Sequence, residues 1–156
     1  MANKPVKELV VSAIENGTVI DHIPAQSVFQ VMKILGLHQV DSQILFGTNL
    51  DSRKYGKKGI IKVQDKFFER DDVNKIALVA PTATIIEIKD FQVVKKKQVE
   101  IPEDAVKIVK CVNPNCITNN EDIPTKFRVI NDENGDLKLK CGYCEKYTNK
   151  ENMVFI

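Results

Sequence analysis

The sequence predicts an α+β chain in two parts: an antiparallel sheet covered on one face by two helices, then a small all-β module built around four cysteines. Three observations carry this expectation. Strand-like and helix-like patterns alternate over the first 95 residues, all four cysteines fall between positions 111 and 144, and a charged stretch, residues 95–103, separates the two compositions. The expected domains are therefore 1–102 and 103–156.

In chain order, Leu9-Val10-Val11-Ser12-Ala13-Ile14 reads as a strand. Pro24 then opens a segment with Val28, Val31, Met32 and Leu35 at helical spacing, stopped by Gly36. Ile44-Leu45-Phe46 and Gly59-Ile60-Ile61-Lys62-Val63 follow as two strands, with the polar run 51–56 as the loop between them. A second helix is expected from Asp72 to Ala80, capped by Asp71 or Asp72 and stopped by Pro81. Ala83 to Ile88 is rich in β-branched residues, and Phe91-Gln92-Val93-Val94 is one further short strand. The order β-α-β-β-α-β plus one strand is that of the ferredoxin-like split β-α-β arrangement, which leaves one face of the sheet open. Lys95 to Glu103 reads as the connection between domains, and the segments around Asn134-Gly135 as a hairpin.

The 23 basic and 21 acidic residues are interspersed and leave a net charge of +2, so no global field draws the chain to nucleic acid or to a membrane surface. No apolar run reaches the length of a membrane span, and the first residues lack the apolar core of a signal peptide. A cytoplasmic location is the expectation.

The cysteines are spaced Cys111-x4-Cys116 and Cys141-x2-Cys144, two close pairs that bring four thiolates into reach of one ion. Zinc suits such a set, and a closed shell of four thiolates leaves no position for a substrate, so the site is expected to be structural. Two disulfides or four unrelated core cysteines are the alternatives; the compartment opposes the first and the paired spacing the second. With few large apolar residues in the module, the metal is expected to supply much of its folding free energy. The loop Val112-Asn113-Pro114-Asn115 offers amides rather than arginines and aromatics, which leans toward docking on protein.

Catalysis has little to stand on. There is neither a phosphate-binding P-loop nor a G-x-G-x-x-G turn, and the two histidines, His22 and His38, join no nucleophile-base pattern. His38 reads as a solvated residue past a helix end. Asp21-His22 sits at an expected exposed turn, where a local capping role and a ligand contact both fit. Lys62 is either an ordinary outward lysine or a cation on the open face, and Lys95 to Lys97 either a solvated strand end or a phosphate subsite.

Gly17-Thr18-Val19-Ile20-Asp21-His22-Ile23-Pro24-Ala25 resembles the N-terminal signature of the regulatory chain of aspartate carbamoyltransferase. The resemblance continues through Lys62, Leu78 to Thr84, Val93-Val94, Cys111-x-Asn113-x-Asn115-Cys116-Ile117 and Lys140-Cys141-x-Tyr143-Cys144-Glu145, and covers nearly the whole chain. It implies a non-catalytic subunit in the control of pyrimidine biosynthesis. The first domain would bind CTP as inhibitor and ATP as activator at one site; the zinc domain would contact the catalytic chain. By position, Asp21 and Lys62 would engage base and ribose, His22 would lie near the phosphates and Lys96 would contact them. Val11, Ala13, Ile14, Val19, Thr84, Ile88 and Val93 would supply backbone and apolar contacts. Ser12, Ile86 and Phe91 depart from the family pattern, where a well-known member has Glu, Asn and Tyr. Asn113, Asn115 and Glu145 match positions that bind the catalytic chain. The family pairs regulatory chains through their nucleotide domains, and three such dimers bridge two catalytic trimers.

Two other classes compete. A zinc-ribbon protein presenting its open sheet to RNA would carry paired aromatics in its strands, whereas these strands are aliphatic apart from scattered Phe. A metal-dependent enzyme lacks a vacant coordination position.

Overall fold

A computed structural model describes residues 13–134 and 136–156 and divides the chain into two compact units, one through Val99 and one from Glu100. In the first unit, strands β1 (Gly17–Pro24), β2 (Ile44–Ser52), β3 (Gly56–Gln64), β4 (Thr84–Lys89) and β5 (Gln92–Gln98) form one sheet in the order β2-β3-β1-β4-β5. Every pairing is antiparallel. Helix α1 (Val28–Ile34) follows β1 and helix α2 (Arg70–Val79) follows β3.

Side chains alternate across a strand, so the register sorts the two faces. Thr18 pairs with Val63 and Ile20 with Ile61; all four are buried and share one face with Gly59. Val28 of α1 packs directly onto Gly59, where only a missing Cβ leaves room. Val31, Ile76, Leu78 and Val79 complete this core from the helices. The one hydroxyl in that row is satisfied, because Thr18 Oγ1 donates to the Lys66 carbonyl at 2.6 Å. Gly36 ends the first helical segment in the left-handed conformation at φ 63°.

Several expectations need correction. The strand read at Leu9–Ile14 falls largely outside the described residues, and Ala13 and Ile14 belong to no strand; the described first strand is Gly17–Pro24. Asp21 and His22 therefore lie within β1 rather than at an exposed turn. The loop expected over residues 51–56 is shorter, a turn at residues 53–55 between the ends of β2 and β3, which form a hairpin. The cap of α2 is Glu69, whose backbone N–H is met by the Asp72 carboxylate at 3.3 Å in a reciprocal capping box. Lys95 to Gln98 are not connection but the end of edge strand β5.

The second unit holds β6 (Asp104–Val106), β7 (Val109–Lys110), β8 (Lys126–Asn131), β9 (Leu137–Cys141), β10 (Tyr147–Asn149) and β11 (Val154–Phe155), with one helical turn, α3 (Ile117–Asn120). Strands β10-β9-β8-β6 form an antiparallel sheet and β11 pairs with β7. The hairpin expected around Asn134 is present, closed by the Asp132 carboxylate, which accepts from the N–H groups of Asn134 and Asp136. The core of this unit is small, with Ala105, Ile108, Val109, Phe127, Leu137, Leu139, Met153 and the cysteines Cys111, Cys116 and Cys141 buried. Among the described residues of the whole chain, no helix is long and apolar enough to cross a membrane.

Candidate functional site

The second face of the first sheet gathers most of the residues singled out from the sequence. Lys62 stands opposite Val19, Val19 opposite Ile86, and Ile86 opposite Lys96, so these four form one row across β3, β1, β4 and β5. In the next row Asp21 stands opposite Thr84, and on the other side Gly17 opposite Ile88 and Ile88 opposite Val93. Two lysines thus flank an apolar strip, with a carboxylate and a hydroxyl beside it. Such a face suits a flat, partly apolar ligand that carries anionic groups.

A break in the ladder shapes this face. The pairing of β1 with β3 shifts between Ile20 and Ile23, and His22 takes a left-handed φ of 57° inside that bulge. Bulges re-aim side chains, and an outlying backbone at a non-glycine residue is a pointer to function. The His22 backbone N–H donates to Asp21 Oδ1 at 2.6 Å, and its ring Nδ1 lies 3.2 Å from Thr84 Oγ1. Asp21 Oδ1 also meets Lys58 Nζ at 2.8 Å, with the Asp21 side chain 16% and the Lys58 side chain 20% exposed. Burial pushes the Lys62 ammonium below its usual range, opposed by the Asp21 charge. An anion arriving at this face would favour the charged form of that lysine.

The remaining candidates sit apart from this cluster or outside view. Val11 and Ser12 lie outside the described residues. Ile14 is buried and Ala13 exposed, just ahead of β1. Phe91 occupies the β4–β5 turn at φ 63°, with its N–H donated to the Glu15 carbonyl at 2.9 Å. His38 is exposed in a short turn after α1. Lys58 and Tyr55 were not anticipated. Both belong to the β2–β3 hairpin and reach β1 only once the sheet has formed, so nothing in their local sequence announces the contact.

In the second unit, the four cysteine Sγ atoms lie within 4.8 Å of one another, with Cys111–Cys144 and Cys116–Cys141 each at 3.7 Å. A disulfide would need about 2.05 Å, whereas four thiolates around a zinc at about 2.3 Å stand about 3.8 Å apart. The set fits a tetrahedral metal and not two disulfides. Its protons are unevenly held. Burial pushes the Cys111 thiol up to about 12 and raises Cys141 as well. Burial also opposes ionisation of Cys144 and Cys116, but the Asn113 side chain and the Lys146 N–H outweigh it at Cys144, bringing it to about 6. At Cys116 the Thr118 hydroxyl, 3.2 Å from Sγ, and its backbone N–H do the same.

Short polar side chains hold the first loop. Asn119 Nδ2 donates to the carbonyls of Cys111 at 2.9 Å and Asn113 at 2.7 Å, and Asn120 Nδ2 to those of Pro114 and Cys116. Their signal was present in the Thr-Asn-Asn run after Cys116, since such residues bond nearby backbone. Of the three residues matched to a partner contact, Asn115 and Glu145 are exposed and Asn113 half-buried, with exposed Val112, Ile117 and Tyr143 beside them in sequence. Glu145 follows the last cysteine in a left-handed turn at φ 64°.

Comparison with known proteins agrees with this division. Residues 9–100 match the model of the aspartate carbamoyltransferase regulatory chain, allosteric domain, and residues 103–154 that of the same chain's metal binding domain. The chain is 47% identical over 154 residues to the aspartate carbamoyltransferase regulatory chain of Parabacteroides distasonis, covering 99% of each. It is 54% identical over 149 residues to that of Thermococcus sibiricus, covering 96% of this chain and 97% of the other. With Phocaeicola vulgatus the identity is 52% over 148 residues, or 95% and 94%. With both halves matched in order and nearly end to end, this chain belongs to the family of aspartate carbamoyltransferase regulatory chains, a non-catalytic subunit with an allosteric domain and a metal-binding domain.

Proposed function

We propose that this regulatory chain senses nucleotides on the second face of its first sheet, with CTP inhibiting and ATP activating from one site. We further propose that its second domain, folded around zinc, docks on the catalytic chain. The observation that carries the sensing half is the row Lys62, Val19, Ile86 and Lys96 with Asp21 and Thr84 beside it. Lysines at both ends match an anionic ligand of nucleotide length, the apolar strip matches a base, and Asp21 supplies an acceptor for ribose or base N–H groups.

The order β2-β3-β1-β4, with a helix after β1 and another after β3, supports the ferredoxin-like reading, β5 being the added edge strand. Domains of 1–102 and 103–156 accommodate both halves. Zinc is the metal that four thiolates at this spacing favour; Cys111, Cys116, Cys141 and Cys144 would hold it as a structural ion. The amide-bearing knuckle with Asn113, Asn115 and Glu145 would then face the catalytic trimers. Pairing of two regulatory chains through their first domains is supported by Phe29 and Phe46, 63% and 45% exposed, whose rings meet edge-on at 5.6 Å beside the β2 edge.

An effector alters activity only through a difference in affinity for two states of the assembly, so the nucleotide face must be coupled to the docking surface. The test is carbamoyl transfer to aspartate by matching catalytic trimers, with and without this chain, over CTP and ATP titrations. Effector sensitivity that needs the chain and its metal supports the proposal. Co-assembly without any nucleotide response would refute the sensing half, and failure to assemble would refute docking.

A further inference from the structure

Both neighbours of β3 lose register beside the same short segment. β1 breaks between Ile20 and Ile23, opposite Ile61 and Gly59, and β2 between Gly47 and Leu50, opposite Ile60 and Lys58. Each break carries a left-handed residue, His22 at φ 57° and Asn49 at φ 59°. Paired bulges add local twist, and beyond them the β2–β3 hairpin tip reaches the open face. There the Tyr55 ring meets the His22 ring edge-on, with centroids 5.8 Å apart and planes at 63°. The tip is itself braced: the Tyr55 N–H donates to Ser52 Oγ, and Lys54 Nζ stands 5.4 Å from the Tyr55 centroid.

His22 is therefore held from two sides, by Thr84 Oγ1 at Nδ1 and by the Tyr55 ring. Its other nitrogen, Nε2, has no hydrogen-bond partner among the described residues. Arg53, Lys54 and Lys58 ride on the same hairpin, Lys58 at 2.8 Å from Asp21 beside His22, so the element that fixes the imidazole also brings positive charge to it, whereas Lys57 is paired with Asp51. We propose that Tyr55 is a positioning residue for the polyphosphate of the ligand: it holds the His22 ring so that Nε2 meets the anionic tail, while the hairpin's lysines add to the field. This rests on the nucleotide reading of the sheet face and extends it to a residue outside that face.

The experiment is calorimetric titration of the full, metal-loaded chain with CTP and with CMP, for wild type, Tyr55→Ala and Tyr55→Phe. An aromatic contact of this kind predicts that Tyr55→Ala weakens CTP by roughly three- to tenfold and CMP by less than about twofold. Tyr55→Phe keeps the ring and stays within about twofold of wild type for both. Proton NMR of the His22 ring gives an independent readout, since its ring-current shift disappears in the alanine variant and survives in the phenylalanine one. Unchanged CTP affinity in Tyr55→Ala, an equal loss on CMP and CTP, or an alanine-like loss in Tyr55→Phe would each overturn the proposal. Wild-type chain that binds neither nucleotide while keeping the His22 ring shift would overturn the nucleotide reading itself and this role with it.

Discussion

Gly59 sits where α1 crosses the sheet, between the two breaks that shape the ligand face, and its replacement by alanine tests whether that crossing is as close as described. The added carbon would lie 1.9 Å from Val28 Cγ2 and 3.4 Å from Val28 Cβ, with the Gly47 carbonyl oxygen at 3.3 Å. Carbon atoms rest at about 3.5–4.0 Å, so the nearest methyl must retreat by roughly 1.6 Å or more. Val28 is fully buried near the start of a helix where its χ1 is stiff, so the helix has to shift with it. Overpacking of this kind costs about 1–3 kcal/mol, partly offset by about 0.5–1 kcal/mol from replacing glycine in a strand. We expect Gly59→Ala to lose about 1–2 kcal/mol. Val28→Ala alone should lose about 2 kcal/mol by opening a cavity, yet in that background Gly59→Ala should cost nothing or stabilise. The assay is urea unfolding followed through the amide signals of Ile20, Ile61 and Val63, which report the first domain alone. Additive losses in the double variant would refute the close crossing.

Three further outcomes are expected. At pH 7.5, zinc binding should release at least two protons but fewer than four, because Cys111 and Cys141 are held protonated whereas Cys144, at about 6, is already ionised; affinity then falls as pH drops, and calorimetry in buffers of different ionisation enthalpy counts the protons. Asn119→Ala removes the clasp on the Cys111 and Asn113 carbonyls and should weaken zinc by roughly 10–100-fold in chelator competition; a change under about threefold would deny it that role. Asp21→Asn and Lys58→Met should each cost about 2 kcal/mol, discounted for their partial exposure, and the double variant less than their sum. Strictly additive losses would show that the two charges do not act as a pair.

What was legible in the sequence was what is local. The α1 and α2 segments repeat at helical spacing on one buried side, and the cysteine pairs carry their geometry in their spacing, so both were readable residue by residue. β1 was missed as a strand because its bulge puts Asp21 and His22 together and breaks alternation where the eye needs it. The end of β5 was missed for the opposite reason: an edge strand exposed at every residue has no apolar face to announce it, and three lysines in a row read as connection. Asp21 was found by resemblance, but its partner Lys58 lies 37 positions away across two strands, and only the assembled sheet brings them within 2.8 Å.

The two borders of the first sheet differ in kind. Another strand laid along β5 would have to strip water from Lys95, Lys96 and Lys97, whereas β2 offers Leu45, Phe46 and Gly47. Growth by edge pairing is thus open in one direction only. If two chains meet through β2, both lysine borders end up outermost and no third copy can add, so the lysine strand acts as a terminator that keeps a sticky border from seeding a fibre. Lys96, which offers a cation to a ligand, would then also help set where polymerisation stops.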